Sequence, residues 1–194
     1  MQRKRELHPQ LAPIFRVMGV PEELLVIPIL ESSYLNFSEE ESLGGSAGLW
    51  QFQAATARRF GLRVDETVDE RLDLLKSTQA AASYFQYLHS KFGDWHSVIA
   101  AYQIGEGALE ARLRRSRGDG GVWSLVRKGA LPDYLPQVMA RVMLAQGGAY
   151  FPLATRSEPG SRKRGTSLGI AVDPPRIGRK PAILSEPLDL EVAK

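Results

Sequence analysis

The chain has 194 residues, enough for one domain with a real core and a tail, and its 43% apolar and 24% charged content is ordinary for a globular protein. It has no cysteine, which excludes disulfides, thiolate nucleophiles and Cys-ligated zinc. The net charge of +3 comes from residues 155–194, with eight Lys/Arg against five Asp/Glu; the first 154 residues balance at 17 and 17 and carry no basic stripe, which argues against nucleic acid as the main partner.

Helical periodicity dominates, and no alternating strand pattern is evident before residue 150. The basic start Met1–Arg5 is followed by Glu6, His8, Pro9 and Gln10 rather than an apolar run, so no export signal is expected. Pro9 is suited to open a first helix through Leu11, Ile14, Phe15 and Met18, ending at Gly19. Pro21 opens a second toward Glu31, with Glu22 and Glu23 at its positive end and a kink expected at Pro28. Residues 35–47 read as a loop, and about 48–60 as a third helix stopped by Gly61. Another helical region begins at 69–73. From about Ser77, Ala80, Tyr84, Leu88 and Phe92 recur every fourth residue and make one apolar face. Gly93-Asp94 ends that helix, and Asp94 or its neighbour is expected to cap the next, Trp95 to about Ile104. Further helices are expected at about 107–116 and 134–147. Beyond Pro152, prolines 159, 174, 175, 181 and 187 mix with Gly, Ser and Arg; this reads as a disordered tail or linker over 152–194, with only weak strand signals at 170–172 and 182–184.

Glu31 ends the apolar run Leu24–Leu30 and is followed by Ser32, Ser33 and Tyr34. An acid in such a place is partly desolvated, and desolvation disfavours the charged form of a carboxyl. A carboxyl that keeps its proton near neutral pH serves as a general acid. The bland alternative is an exposed, idle residue at a helix end. Asp65, Asp69 and Glu70 lie in separate polar surroundings and do not suggest a second member of a carboxylate pair. His8, His89 and His96 are too scattered for a metal site, so no metal or cofactor is expected. Gly105–Gly107 follows no strand and is not a phosphate loop, and Ser32 and Ser33 have no His/Asp pairing near them.

Seven landmarks follow in order: Glu31-Ser32-Ser33-Tyr34, Gly48-Leu49-Trp50-Gln51-Phe52 with Thr56-Ala57, Asp69-Glu70-Arg71-Leu72-Asp73, Ser77-Thr78-Gln79-Ala80-Ala81, Phe92-Gly93-Asp94-Trp95, Ala101-Tyr102-Gln103-Ile104-Gly105-Glu106-Gly107 and Tyr134-Leu135-Pro136. Together they resemble the soluble lytic transglycosylase catalytic domain, close to its membrane-bound transglycosylase D branch, over residues 8–150. The resemblance implies an all-α, lysozyme-like fold. It also implies cleavage of peptidoglycan between N-acetylmuramic acid and N-acetylglucosamine, leaving a 1,6-anhydromuramic end. The substrate's own C6 hydroxyl attacks in such a reaction, so one acid/base residue, Glu31, suffices. The implied partner is a peptidoglycan glycan strand, the implied place the periplasm or cell envelope, and the implied state a monomer.

The resemblance also implies site residues. Ser42 stands at the position of a site serine, for contact with Glu31 or the sugar. Gln51 matches the glutamine that faces the active site. Gln53 stands where the family often has methionine near the acid. Tyr102 matches a tyrosine that touches the catalytic glutamate and the N-acetyl group. Gln103 replaces the usual asparagine and is one methylene longer. Tyr134 matches a tyrosine that reaches toward the cleft, while Leu131-Pro132-Asp133 replaces the usual Glu-Thr pair before it. Trp50 and Trp95 sit in apolar motifs and read as core; Trp123, after a glycine-rich loop, is the better candidate for stacking on a sugar. Two other readings stay open: a goose-type-lysozyme-like hydrolase that delivers water, and a non-catalytic glycan-binding module. An intracellular helical scaffold is favoured only by the absent export signal.

Overall fold

A computed structural model describes residues 2–42, 44–116 and 120–146. The described chain is all-α apart from one short hairpin. Helix α1 spans Gln2–Val17, a 3₁₀ turn Glu22–Val26, and α2 Ile27–Glu31. The hairpin pairs β1, Ser46–Ala47, with β2, Phe52–Gln53, antiparallel in the register Ser46 to Gln53 and Ala47 to Phe52. Then come α3, Ala54–Arg59, a 3₁₀ turn Glu70–Leu72, α4, Leu74–Phe92, and α5, Trp95–Ile104. Helices α6, Glu106–Arg115, α7, Gly121–Arg127, and α8, Tyr134–Ala145, complete the described fold.

Helix α4 is the spine and packs against both α1 and α5. Its N-terminus is capped by Asp73, which accepts from the backbone N–H groups of Leu75 and Lys76, and Gly93 in the left-handed region ends it. Asp94 then caps α5 by accepting from the Ser97 N–H at 2.8 Å, as its sequence position predicts. The apolar face of α4 presents Phe85 to the stacked pair Phe15 and Trp50, whose ring centroids lie 5.6 Å apart. Trp50 is fully buried and its indole N–H donates to the Thr78 hydroxyl at 3.0 Å, satisfying its polar edge.

Four sequence expectations are corrected. Helix α1 begins near residue 2 rather than at Pro9, and holds Pro9 and Pro13 inside it. Both prolines are on its exposed face, where the carbonyls they leave without an amide partner meet water. The segment from Pro21 to Glu31 is two short pieces rather than one kinked helix. The 3₁₀ turn closes with the Ile27 N–H on the Leu24 carbonyl, which Pro28 has no N–H to reach. The third helix starts at Ala54 rather than near 48, because residues 46–53 form the hairpin. Helix α7 occupies a stretch, directly after a glycine-rich segment, where no helix is expected from the sequence. The tail over 152–194, with its weak strand signals, lies outside the described residues.

Candidate active site

Glu31 closes α2, and the chain reverses directly after it. The Pro28 carbonyl accepts from the N–H groups of both Ser32, at 3.1 Å, and Tyr34, at 3.0 Å. Ser33 and Tyr34 are forced into the left-handed region, with φ of 53° and 63°. Among the described residues the only other non-glycine position with positive φ is Gln51, at 48°. Such conformations cost about 1–3 kcal/mol each and persist where the surroundings over-determine them. The first place follows directly on Glu31 and the second is Gln51 itself, both expected site residues. The two turns are tied together: the Ser32 hydroxyl reaches the Leu49 carbonyl at 2.9 Å and the Pro28 carbonyl at 3.2 Å.

Glu31 is 8% exposed and is the one buried acid among the described residues. Five other carboxylates there are matched to cations: Glu106 to Arg59 at 2.9 Å, Glu70 to Lys76 at 2.6 Å, Asp65 to Arg63 at 2.6 Å, and Asp69 and Glu39 to Arg71. Glu31 receives a phenol. Tyr134, the first residue of α8, donates its hydroxyl to Glu31 Oε1 at 2.6 Å. That contact joins residues 103 positions apart and fixes one carboxyl oxygen. Burial, with the Glu31 carboxylate next in effect, pushes the Tyr134 hydroxyl well above the usual phenol range, so it stays a donor at neutral pH.

Gln51 sits in the turn of the hairpin, 7% exposed, and not on a helix. Its Oε1 accepts from Ser42 Oγ at 3.1 Å and from Ser46 Oγ at 2.9 Å. Its Nε2 donates to the Gly48 carbonyl at 2.9 Å, which leaves a second amide hydrogen for a ligand. Ser42 therefore reaches Gln51, and through it the hairpin. Ser46, which sequence reasoning passed over, holds the other lone pair. Gln53 is half-buried, with its amide donated to the Gly44 carbonyl at 3.0 Å.

Tyr102 is buried, and its hydroxyl donates to the Trp50 carbonyl at 2.6 Å. Tyr102 thereby holds the backbone one residue before Gln51. Tyr102 still feels the acid: burial first, and then the Glu31 charge, push its hydroxyl well above the usual phenol range. Gln103 is half-buried and makes no side-chain hydrogen bond recorded among the described residues. Trp95 is buried against His89, with ring centroids 4.2 Å apart, as its apolar motif predicts. Trp123 is half-buried in α7, packed on the core and edge-on to His96 at 5.5 Å, which weakens the case for sugar stacking.

Arg71 lies behind the hairpin, 1% exposed, and all five of its N–H donors are taken. Nη1 donates to the carbonyls of Gly45 and Phe52, each at 3.1 Å. Nη2 donates to Asp69 at 2.7 Å and to Glu39, and Nε donates to Asp69. A Cβ added at Gly48, where φ is +80°, would lie 2.0 Å from the Arg71 carbonyl oxygen, so only glycine fits there. A surface cavity of about 1130 Å³ opens on the far part of this network, with Arg58, Arg63 and Asp65 in its wall. Glu31, Gln51, Tyr102 and Tyr134 do not line it.

Comparison with known proteins agrees with this geometry. Residues 16–121, more than half of the chain, match the family model described as the transglycosylase SLT domain. Over 126 residues, 63% of the chain, it is 34% identical to the membrane-bound lytic murein transglycosylase D of Escherichia coli (strain K12), covering 27% of that protein. Over 92 residues, 47% of the chain, it is 38% identical to a putative tributyltin chloride resistance protein of Alteromonas sp. (strain M-1), covering 44% of that protein. The chain thus spans about a quarter of the length of the first relative and under half of the second. The chain belongs to the transglycosylase SLT domain family.

Proposed function

We propose that this domain is a peptidoglycan lytic transglycosylase that cleaves the bond between N-acetylmuramic acid and N-acetylglucosamine, with Glu31 as its acid/base. The observation that carries the reading is one buried carboxyl that accepts the hydroxyl of a buried tyrosine, at a turn with left-handed backbone. Hydrolytic glycosidases normally flank the bond with two carboxylates. Here Glu39, Asp65, Asp69, Glu70 and Glu106 are each matched to arginine or lysine.

In the proposed reaction Glu31 gives its proton to the leaving N-acetylglucosamine oxygen as the bond to muramic C1 breaks. The muramic C6 hydroxyl bonds to C1 and returns its proton to Glu31. No water is consumed, and the enzyme is restored in one cycle. Tyr134 orients the carboxyl. Gln51, backed by Ser42 and Ser46, directs an amide hydrogen toward the sugar, and Gln53 and Gln103 extend the polar lining. Tyr102 keeps the Trp50–Gln51 backbone in place.

The relatives' description as murein transglycosylases supports this substrate, and such a substrate places the protein in the cell envelope, working as a monomer on glycan strands. Among the described residues no helix is long and apolar enough to cross a membrane. Mass spectrometry of muropeptides released from purified sacculi tests the reading. Anhydromuramic ends are expected. Reducing ends would indicate the hydrolase, and no released product the glycan-binding module.

A further inference from the structure

We propose that Arg71 is a positioning residue for the Gln51 amide, acting through the backbone it clamps and without touching the glycan. The inference rests on the reading of Gln51 as a sugar-facing group given above.

The clamp is built around Gln51. Arg71 Nη1 binds the carbonyls of Gly45, one residue before Ser46, and of Phe52, one residue after Gln51. Those two neighbours carry the side chains that meet at 2.9 Å, Ser46 Oγ on Gln51 Oε1. Nη2 binds Glu39, three residues before Ser42, whose hydroxyl supplies the second bond to Gln51 Oε1 at 3.1 Å. One guanidinium therefore holds the segments that present both partners of Gln51 Oε1. The same element also bears on the turn directly. The Arg71 carbonyl lies against Gly48, whose own carbonyl accepts from Gln51 Nε2, and the Leu72 carbonyl accepts from Asn36, which in turn accepts from the Leu49 N–H at 3.1 Å.

A left-handed glutamine has no intrinsic reason to stay in that conformation. A planar fork with five fixed donors holds several carbonyls at defined angles at once. An ammonium, with three donors on a flexible stem, does not. Burial of the charge is tolerated because Asp69 sits on Nε and Nη2, and Arg71 in return holds the Asp69 carboxyl below its ordinary range. Removing the fork while keeping the charge should therefore loosen the turn more than it unfolds the domain. A displacement of about 1 Å in such a group costs up to roughly a hundredfold in rate.

Two measurements on the full chain test this. In the first, the side-chain amide resonances of Gln51 are assigned by their loss in Gln51→Ala and followed in Arg71→Lys by nitrogen–proton correlation NMR. They should move to the position of a free amide while the α4 and α5 backbone resonances stay in place. An unmoved Gln51 amide would overturn the proposal whatever the turnover does. In the second, turnover on purified sacculi is compared for Arg71→Lys, Gln51→Ala and the double variant. Each single variant should lose about tenfold, and the double variant should be no worse than Gln51→Ala, because the arginine acts through the glutamine. Independent, multiplying losses would mean that Arg71 serves stability alone and would overturn the proposal. If Arg71→Lys does not fold, Glu39→Ala, at the exposed rim of the network, replaces it and should move the same resonances by less. A wild-type chain that releases no product would defeat the transglycosylase reading, and the amide resonances would still decide the positioning of Gln51.

Discussion

The helical pair α4–α5 and the loop region from Glu31 to Phe52 are built on opposite principles. In α4–α5 each decision is local. Asp73 and Asp94 cap the helix starts, Gly93 ends the first helix, and an apolar residue every fourth position faces the core. In the loop region the backbone adopts conformations its residues do not favour, and distant groups hold it there. Tyr134 arrives from 103 residues away on Glu31, Tyr102 from 52 on Trp50, and Arg71 from 19 and 26 on Phe52 and Gly45. The helices supply a rigid frame, and the frame's side chains fix the site.

Two glycines with nearly equal backbone angles put this contrast to the test. Gly48 has φ of +80° with the Arg71 carbonyl 2.0 Å from where a Cβ would stand, and Gly93 has φ of +78° with open space around it. Gly48→Ala is expected to cost about 2–4 kcal/mol, from backbone strain together with displacement of Arg71. Gly93→Ala should cost only about 1 kcal/mol, the strain alone. Urea unfolding of both variants measures the difference, and equal losses would remove the distinction between the regions.

Tyr134→Phe keeps the ring and removes the hydroxyl on Glu31. Turnover should fall at least about tenfold, equivalent to about 1.4 kcal/mol of transition-state stabilisation, with a smaller change in melting temperature. A lowered melting temperature with normal turnover would make the contact structural. Asp94→Ala provides the helical counterpart. It removes one capping bond and should cost about 1 kcal/mol in urea unfolding with turnover per folded molecule unchanged.

The smallest expected effect is a slope. Hydrogen bonds from Arg71 hold the Asp69 carboxyl below its ordinary range, so the folded chain binds a proton there less readily than the unfolded chain. That contribution to stability is present above the unfolded value, about pH 4, and is lost as the pH falls through the folded value. Unfolding followed from neutral to acid pH should therefore show a shallower decline in Asp69→Asn than in the wild type. Identical slopes would show that Asp69 does not contribute.

The division between the regions also explains what was legible in the sequence. The cap at Asp94, the stop at Gly93 and the face Ala80–Tyr84–Leu88 are written in neighbouring residues, and the structure has all three. Residues 48–53 read as helix because Leu49, Trp50 and Phe52 are good core residues at close spacing. Nothing in their neighbourhood shows that Gln51 takes a positive φ, since the cause is Ser42, Ser46 and Arg71. Arg71 itself sits among acids, in a stretch that resembles the start of a surface helix. Its burial becomes visible only once Gly45 and Phe52 are seen to converge on it. Glu31 was legible from its apolar run; the family resemblance implied only that Tyr134 reaches toward the cleft, and its bond to Glu31 joins residues too far apart for any local pattern to show. Pro9 misled because a single sequence does not say which face of α1 meets water.

The central claim is that Glu31 supplies the chemistry and the rest of the loop region serves to hold it and the substrate. Glu31→Gln tests it most directly, with anhydromuramic product from purified sacculi and melting temperature measured on one preparation. The expected result is a loss of about 10²–10⁴ in rate, the usual worth of a positioned general acid, with the melting temperature within a few degrees of wild type. Turnover within about threefold of wild type in a folded Glu31→Gln protein would contradict the account.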